Sequence, residues 1–189
     1  KEHHDDIAAV AAHLKSVADV PVWLVGTSMG TFSAARGAIG NKTIAGLVLT
    51  STITRSRDDW KIKTSHPAGV GSMALQQVSV PALIVSHSRD GCAITPASDS
   101  EALKAKFTKS PRVDVKLLDG GLPPKSGPCE AMSQHGFIGI EKEAVGEIAK
   151  LDRARRAFEI DAGGGGQAVG DKSDHMGEGG RLLPRQVDL

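Results

Sequence analysis

Between residues 20 and 39 the chain runs from a short apolar stretch, Val22-Trp23-Leu24-Val25, through Gly26-Thr27-Ser28-Met29-Gly30 into Ser33-Ala34-Ala35-Arg36-Gly37-Ala38. Few arrangements accommodate that order. Four apolar residues of partly β-branched character suit a strand buried on both faces of a parallel sheet, and a small-residue segment suits a helix packed closely against it. A strand that passes into a helix through Gly-x-Ser-x-Gly turns so sharply that the central residue is forced into strained backbone, with small residues around it and its side chain displayed. Gly26 and Gly30 are the small neighbours here, and Ser28 is the displayed residue. Usage frequencies alone produce such a pentapeptide in roughly one chain in fifteen of this length. The strand before it and the helix after it lift the motif above an ordinary glycine-rich turn and make Ser28 a candidate nucleophile.

The remaining chain alternates in the same way. Ile7, Val10, Leu14 and Val17 recur at helical spacing, so a helix over residues 6–18, capped by Asp5 or Asp6, is expected to pack on a sheet face until Asp19 and Pro21 end it. Ile44 to Thr50, Val80 to Ser86 and Val113 to Leu118 read as further strands, the last of alternating character that suits a sheet edge. Thr95-Pro96 opens a helix carrying Leu103 and Phe107, and another begins near Glu141 with Val145, Ile148 and Leu151. Strands alternating with helices specify an α/β fold, a mostly parallel four-stranded sheet flanked by helices. Ser51 to Gln77 is a more polar excursion with Trp60 and His66, the place for a small lid. Its run Arg55, Arg57, Asp58 and Asp59 reads first as solvated surface, with the lining of a substrate entrance as the alternative.

At 189 residues and 40% hydrophobic content, the chain is long enough for one domain with a sizeable core. A net charge of +1 without a basic stripe gives no handle for nucleic acid or an anionic membrane. No stretch is apolar enough to span a bilayer, and Lys1 to Asp6 are too polar for a signal peptide. His3, His4 and His13 lack a third ligand at useful spacing, so they read as a solvated helix start and no metal is expected. From Asp152 the texture changes. Residues 1–151 read as the domain; 152–189 read as a helix extension followed by a low-complexity tail containing Gly163-Gly164-Gly165-Gly166, expected to be disordered. His175 and Met176 in that tail carry no functional signal.

Two further residues complete a constellation. Asp90 lies just past the carboxyl end of the strand 80–86, on the rim where open α/β sheets build their sites; a turn aspartate before Gly91 is the plainer reading. His135 follows the last strand on a loop rich in Gly and Pro, and a histidine there can reach a serine on a distant strand because the strand ends share one rim. The chain order Ser28, Asp90, His135 strengthens both assignments.

With these residues the chain resembles the α/β-hydrolase superfamily, in particular small bacterial serine hydrolases of esterase or lipase type, over about residues 5–151. The elbow, the apolar strand ending in a carboxylate, the Thr95-Pro96 after it and His135-Gly136-Phe137 ahead of the last helix carry the likeness. The resemblance implies Ser28 as nucleophile, Asp90 as acid, His135 as base, and the Met29 backbone N–H as one oxyanion donor, with no cofactor. It also implies a departure. The family's fold begins with four more strands and a helix, so this chain looks like a carboxyl-terminal half, with an apolar sheet edge open to pairing and with its second oxyanion donor missing. A lost donor costs about 100- to 1000-fold in turnover.

If Asp90 and His135 meet, Cys92 and Cys129 come near one another, and a disulfide between them would staple the two loops and imply a periplasmic or secreted protein. Two free thiols are the alternative. As an enzyme the chain would hydrolyse carboxylic esters through an acyl-enzyme, its partner a small-molecule ester with a small acyl group. Acyl transfer or amide cleavage by the same three residues, and an inactive fragment or interaction module, are the competing expectations.

Overall fold

Residues 2–18 and 20–151 are described by a computed structural model; the expected tail over 152–189 lies outside the described residues, as does Asp19. Four strands form one sheet: β1 (Trp23–Thr27), β2 (Gly46–Thr50), β3 (Ala82–His87) and β4 (Val113–Leu118), in the order β1-β2-β3-β4 with every neighbour parallel. A parallel neighbour cannot be reached by a tight hairpin, so each connection crosses a face of the sheet and covers it. β2 and β3 are buried along their whole length, which is why both are nearly unbroken apolar runs. β4 is the edge strand expected from its sequence, partly exposed along its length without alternating in burial.

Side chains alternate between two cores. Leu47, Leu49, Ala82 and Ile84 point to one face, joined by Ala34, Ala35 and Ala38 of α2 (Gly30–Ala38), by Val70, Leu75 and Val78 of the excursion, and by Leu103 and Phe107. Val48, Leu83 and Val85 point to the other, against Phe137, Ile140, Ala144 and Leu151. The second face is covered by a helix over residues 141–151, close to the expected position. The helix expected after Thr95-Pro96 is shorter than its apolar spacing implied: Pro96 is extended, a 3₁₀ turn spans Ala97–Asp99, and α-helix occupies only Ser100–Lys104. The excursion after β2 contains three 3₁₀ turns, Lys61–Thr64, Gly69–Ser72 and Leu75–Gln77.

The first helix corrects the sequence reading. α1 spans Glu2–Val17, so Asp5 and Asp6 lie inside it and cap nothing. It packs on α2 more than on the sheet: a side chain at Gly37 would meet Ile7 Cγ2 at 2.7 Å, and Ala11 is buried, whereas Val10, Leu14 and Val17 are 58%, 46% and 70% exposed. The cause is the sheet's extent. Among the described residues β1 has no neighbour on its outer side, so the apolar stripe of α1 overhangs an open groove with Val22, Trp23 and Leu24. No described helix is long and apolar enough to cross a membrane.

Candidate active site

The turn from β1 into α2 places Ser28 at φ +51°, in left-handed backbone that a non-glycine residue adopts only when its surroundings hold it there. Three hydrogen bonds do so. Ser28 N–H donates to Thr50 O at 3.0 Å, and its carbonyl accepts from the N–H and hydroxyl of buried Thr31 at 3.0 and 2.5 Å. Gly26 is needed for space: a Cβ there would lie 2.5 Å from Gly30 O and 2.7 Å from Ala34 Cβ. Gly30 departs from the expectation that both glycines are required, since a Cβ on it meets nothing within 4 Å where it opens α2 toward solvent. Gly26→Ala is therefore expected to destabilise the fold by about 1–3 kcal/mol through overpacking, and Gly30→Ala to be neutral or slightly stabilising. Urea titrations of the two variants check this; equal losses would show that the turn is limited by something other than space at Gly26.

Just beyond Ser28, the Met29 N–H finds no acceptor among the described residues. It sits at the start of a nine-residue helix with no acidic residue in its first turn, so the positive end of the helix is left uncompensated beside the serine.

Asp90 and His135 meet, as the sequence reading required. His135 Nδ1 lies 3.0 Å from Asp90 Oδ2, both side chains almost wholly buried. The other Asp90 oxygen accepts from the Cys92 N–H at 2.9 Å, and Oδ2 also accepts from the Thr95 hydroxyl at 2.8 Å. A carboxylate that accepts at Nδ1 fixes the imidazole tautomer with the proton there, which makes Nε2 the acceptor. That Nε2 is buried and has no partner among the described residues. Nor does a hydrogen bond join it to the Ser28 hydroxyl.

Thr95 is the residue that the sequence alone undervalued. Read as a helix opener, it is buried and its hydroxyl contacts both Asp90 and, at 3.2 Å, His135 Nδ1. Thr95→Val removes a donor from a buried carboxylate and is expected to cost about 1–3 kcal/mol, with Thr95→Ser nearer the parent. Chemical denaturation distinguishes them; a Val variant as stable as the parent would mean the hydroxyl is not bonded to Asp90.

Ser51 is the second such residue. It stands at φ +44° at the end of β2, fully buried, its N–H on Val85 O and its hydroxyl donating to the His135 carbonyl at 2.7 Å. With Thr50 O on the Ser28 N–H, the end of β2 thus ties the serine turn to the histidine turn. His87 acts similarly on the acid side: buried, with Nδ1 accepting from Arg89 N–H at 3.0 Å and Nε2 3.2 Å from Gly120 O, it holds the turn that leads into Asp90. Cys92 and Cys129 form a disulfide with Cα atoms 4.7 Å apart, the pairing expected from the sequence.

Ser28 opens onto a groove of about 420 Å³ shared with Met29, Arg57, Trp60, Ala93, Ile94 and Cys129. A larger groove of about 530 Å³ runs along α2 past Phe32, Arg36, His66 and Met73, but Ser28, Asp90 and His135 take no part in lining it. Of the three candidate residues, Ser28 lines the smaller groove and none lines the larger one.

No family model matches the chain, and no curated protein matches it. Among solved structures it is similar to puromycin hydrolase, with TM-score 0.47 and 16% identity over 62% of this chain and 21% of that one. It is also similar to a protein of unknown function from Agrobacterium tumefaciens, a candidate α/β hydrolase, with TM-score 0.46 and 14% identity over 85% of this chain and 60% of that one. A third likeness is to an esterase from Pyrococcus furiosus, with TM-score 0.40 and 16% identity over 63% of this chain and 55% of that one. The chain thus spans between about a fifth and three fifths of the proteins it resembles.

Proposed function

We propose that the domain over residues 1–151 is a serine hydrolase acting on carboxylic esters, with Ser28 as nucleophile, His135 as general base and Asp90 as the group that orients it. The observation that carries this reading is the buried Asp90–His135 pair, whose free Nε2 is left as acceptor on the same rim as a serine held at φ +51°. In the reaction, Ser28 Oγ attacks the ester carbonyl carbon as its proton passes to His135 Nε2. The oxyanion that forms takes the Met29 N–H. Collapse expels the alcohol, which leaves with the proton from Nε2, and water attacks the acyl-enzyme by the same base. Asp90, in contact with Nδ1, orients the imidazole and stabilises the imidazolium as it forms. Burial of the pair excludes the water that would weaken this interaction.

Cys92–Cys129 supports a periplasmic or secreted location, where such a bond persists. A small neutral ester suits the groove better than a polymer.

A second reading, a binding module whose three residues are not engaged in catalysis, is favoured by the absence of a Ser28–His135 hydrogen bond. Catalytic contacts often tighten only with substrate bound, so this absence does not decide between them. A fluorophosphonate probe does. Incubation with the purified chain is expected to give an adduct on Ser28, found by peptide mass spectrometry and lost in His135→Ala. No adduct on folded protein would favour the binding module.

A further inference from the structure

The run Arg55, Arg57, Asp58 and Asp59, read from sequence as solvated surface, is divided by the fold into separate pairs. Arg55 reaches away to Asp99, at 3.0 Å from Nε and 2.9 Å from Nη2, and Asp58 pairs with Lys63. Arg57 and Asp59 instead close on each other, Nε to Oδ1 and Nη2 to Oδ2, both at 3.0 Å. The Trp60 N–H donates to the Arg57 carbonyl at 3.1 Å, so guanidinium, carboxylate and indole belong to one turn. That turn is anchored to the opposite wall: the N–H groups of Thr54 and Arg55 both donate to the Ile94 carbonyl, at 3.0 and 3.2 Å.

Arg57 and Trp60 therefore face Ala93 and Ile94 across the groove that opens at Ser28. The remaining walls are Ser28, Met29, which is 54% exposed, and the Cys129 end of the disulfide. Apart from the Ser28 hydroxyl, the side chains offered to a ligand are apolar except for a single guanidinium, and that guanidinium is occupied at two donors by a carboxylate. Hydrogen bonding from Arg57 holds the Asp59 carboxyl below the usual range, so the pair stays ionised and its net charge is zero. An anionic ligand entering here must compete with Asp59 for the guanidinium and is repelled by the Asp59 carboxylate; a neutral ring meets Trp60, Ile94 and Met29 without that opposition.

We propose that this groove is the subsite for the substrate's acyl or alcohol group, that it takes uncharged apolar groups of ring size, and that Asp59 sets the preference by occupying Arg57. This rests on the hydrolase reading only for the word substrate; the groove's preference is a binding property and is measured without turnover. The probes are two ketones that cannot be hydrolysed, neutral phenylacetone and anionic levulinate, titrated against the full chain carrying Trp23→Phe, so that Trp60 is the only tryptophan reporting. Phenylacetone is expected to bind the more tightly. Asp59→Asn should strengthen levulinate binding about three- to fivefold, the size of an exposed ion pair, while leaving phenylacetone within about twofold. With Arg57→Ala added, that gain should disappear. Because Trp60→Ala removes the reporter, its contribution is read by ligand-observed NMR, where phenylacetone affinity should fall about three- to tenfold. Levulinate binding unchanged by Asp59→Asn, or phenylacetone binding unchanged by Trp60→Ala, would overturn the proposal. Fluorophosphonate labelling of the same preparation separates the two readings. Discrimination between the ketones without an adduct leaves the groove standing and removes the hydrolase; an adduct without discrimination does the reverse.

Discussion

Replacing Ser28 by alanine is expected to lower ester turnover by at least about 10⁴-fold with little change in stability, the size of loss seen when a nucleophile acting in concert with its base is removed. The structure explains why the variant should fold. The Ser28 hydroxyl makes no hydrogen bond to the described residues, and what secures the turn is its backbone, held by Thr50 and Thr31. Alanine bears much the same backbone strain as serine at φ +51°, so the comparison isolates the oxygen. Turnover of a p-nitrophenyl ester and a urea titration on one preparation are the paired measurements. Retained turnover in a folded Ser28→Ala variant would refute the assignment and direct attention to another nucleophile. An inactive but destabilised variant would show that the side chain supports the elbow itself.

Breaking the Cys92–Cys129 bond is the second large effect. The cysteines are 37 residues apart, and closing a loop of that length restricts the unfolded chain by about 4 kcal/mol in the chain-entropy account. Joint replacement by alanine is expected to lower stability by most of that amount, seen as a reduced urea midpoint with a changed slope, because the unfolded state becomes less compact. The local consequence matters as much. The Cys92 N–H holds Asp90 Oδ1, and Cys129 follows Pro128, whose carbonyl accepts from the Ser133 hydroxyl. Ser133 in turn caps the short turn that carries His135. Freeing both loops should therefore loosen the acid and the histidine together, and ester turnover should fall in the disulfide-free protein even at temperatures where it remains folded. Thiol titration under denaturing conditions is the control: no free thiol before reduction and two after it. Two free thiols before reduction would remove both the stabilisation and the argument for an oxidising compartment.

Arg57 and Trp60 show where sequence reading stops. The charge run containing Arg57 is indistinguishable in sequence from solvated surface, because nothing local says that Arg57 turns to Asp59 while Arg55 crosses to Asp99. Thr95 carried a signal, a hydroxyl residue five positions after an acidic one, but that spacing becomes informative only once the chain folds back on itself. Ser51 carried none. Its value lies in sitting where β2 ends, beside a histidine 84 positions away.

By itself the sequence determined the sheet. Unbroken apolar runs at Leu47-Val48-Leu49 and Ala82-Leu83-Ile84-Val85 have no stable place except a strand covered on both faces, and the alternation in Val113 to Leu118 has its place at an edge. The serine turn was equally legible, because a glycine is demanded at 26 by the approach of the helix that follows within a few residues. What is local in the chain is local in the sequence. Tertiary structure alone decided which oxygen of Asp90 meets His135, that Thr95 and Ser51 brace that pair, and that α1 lies on α2 with much of its apolar stripe uncovered. These depend on distances between segments 40 to 85 residues apart or on what stands beside β1, and a one-dimensional pattern encodes the tendency of each segment to bury a face without naming the segment it will bury it against.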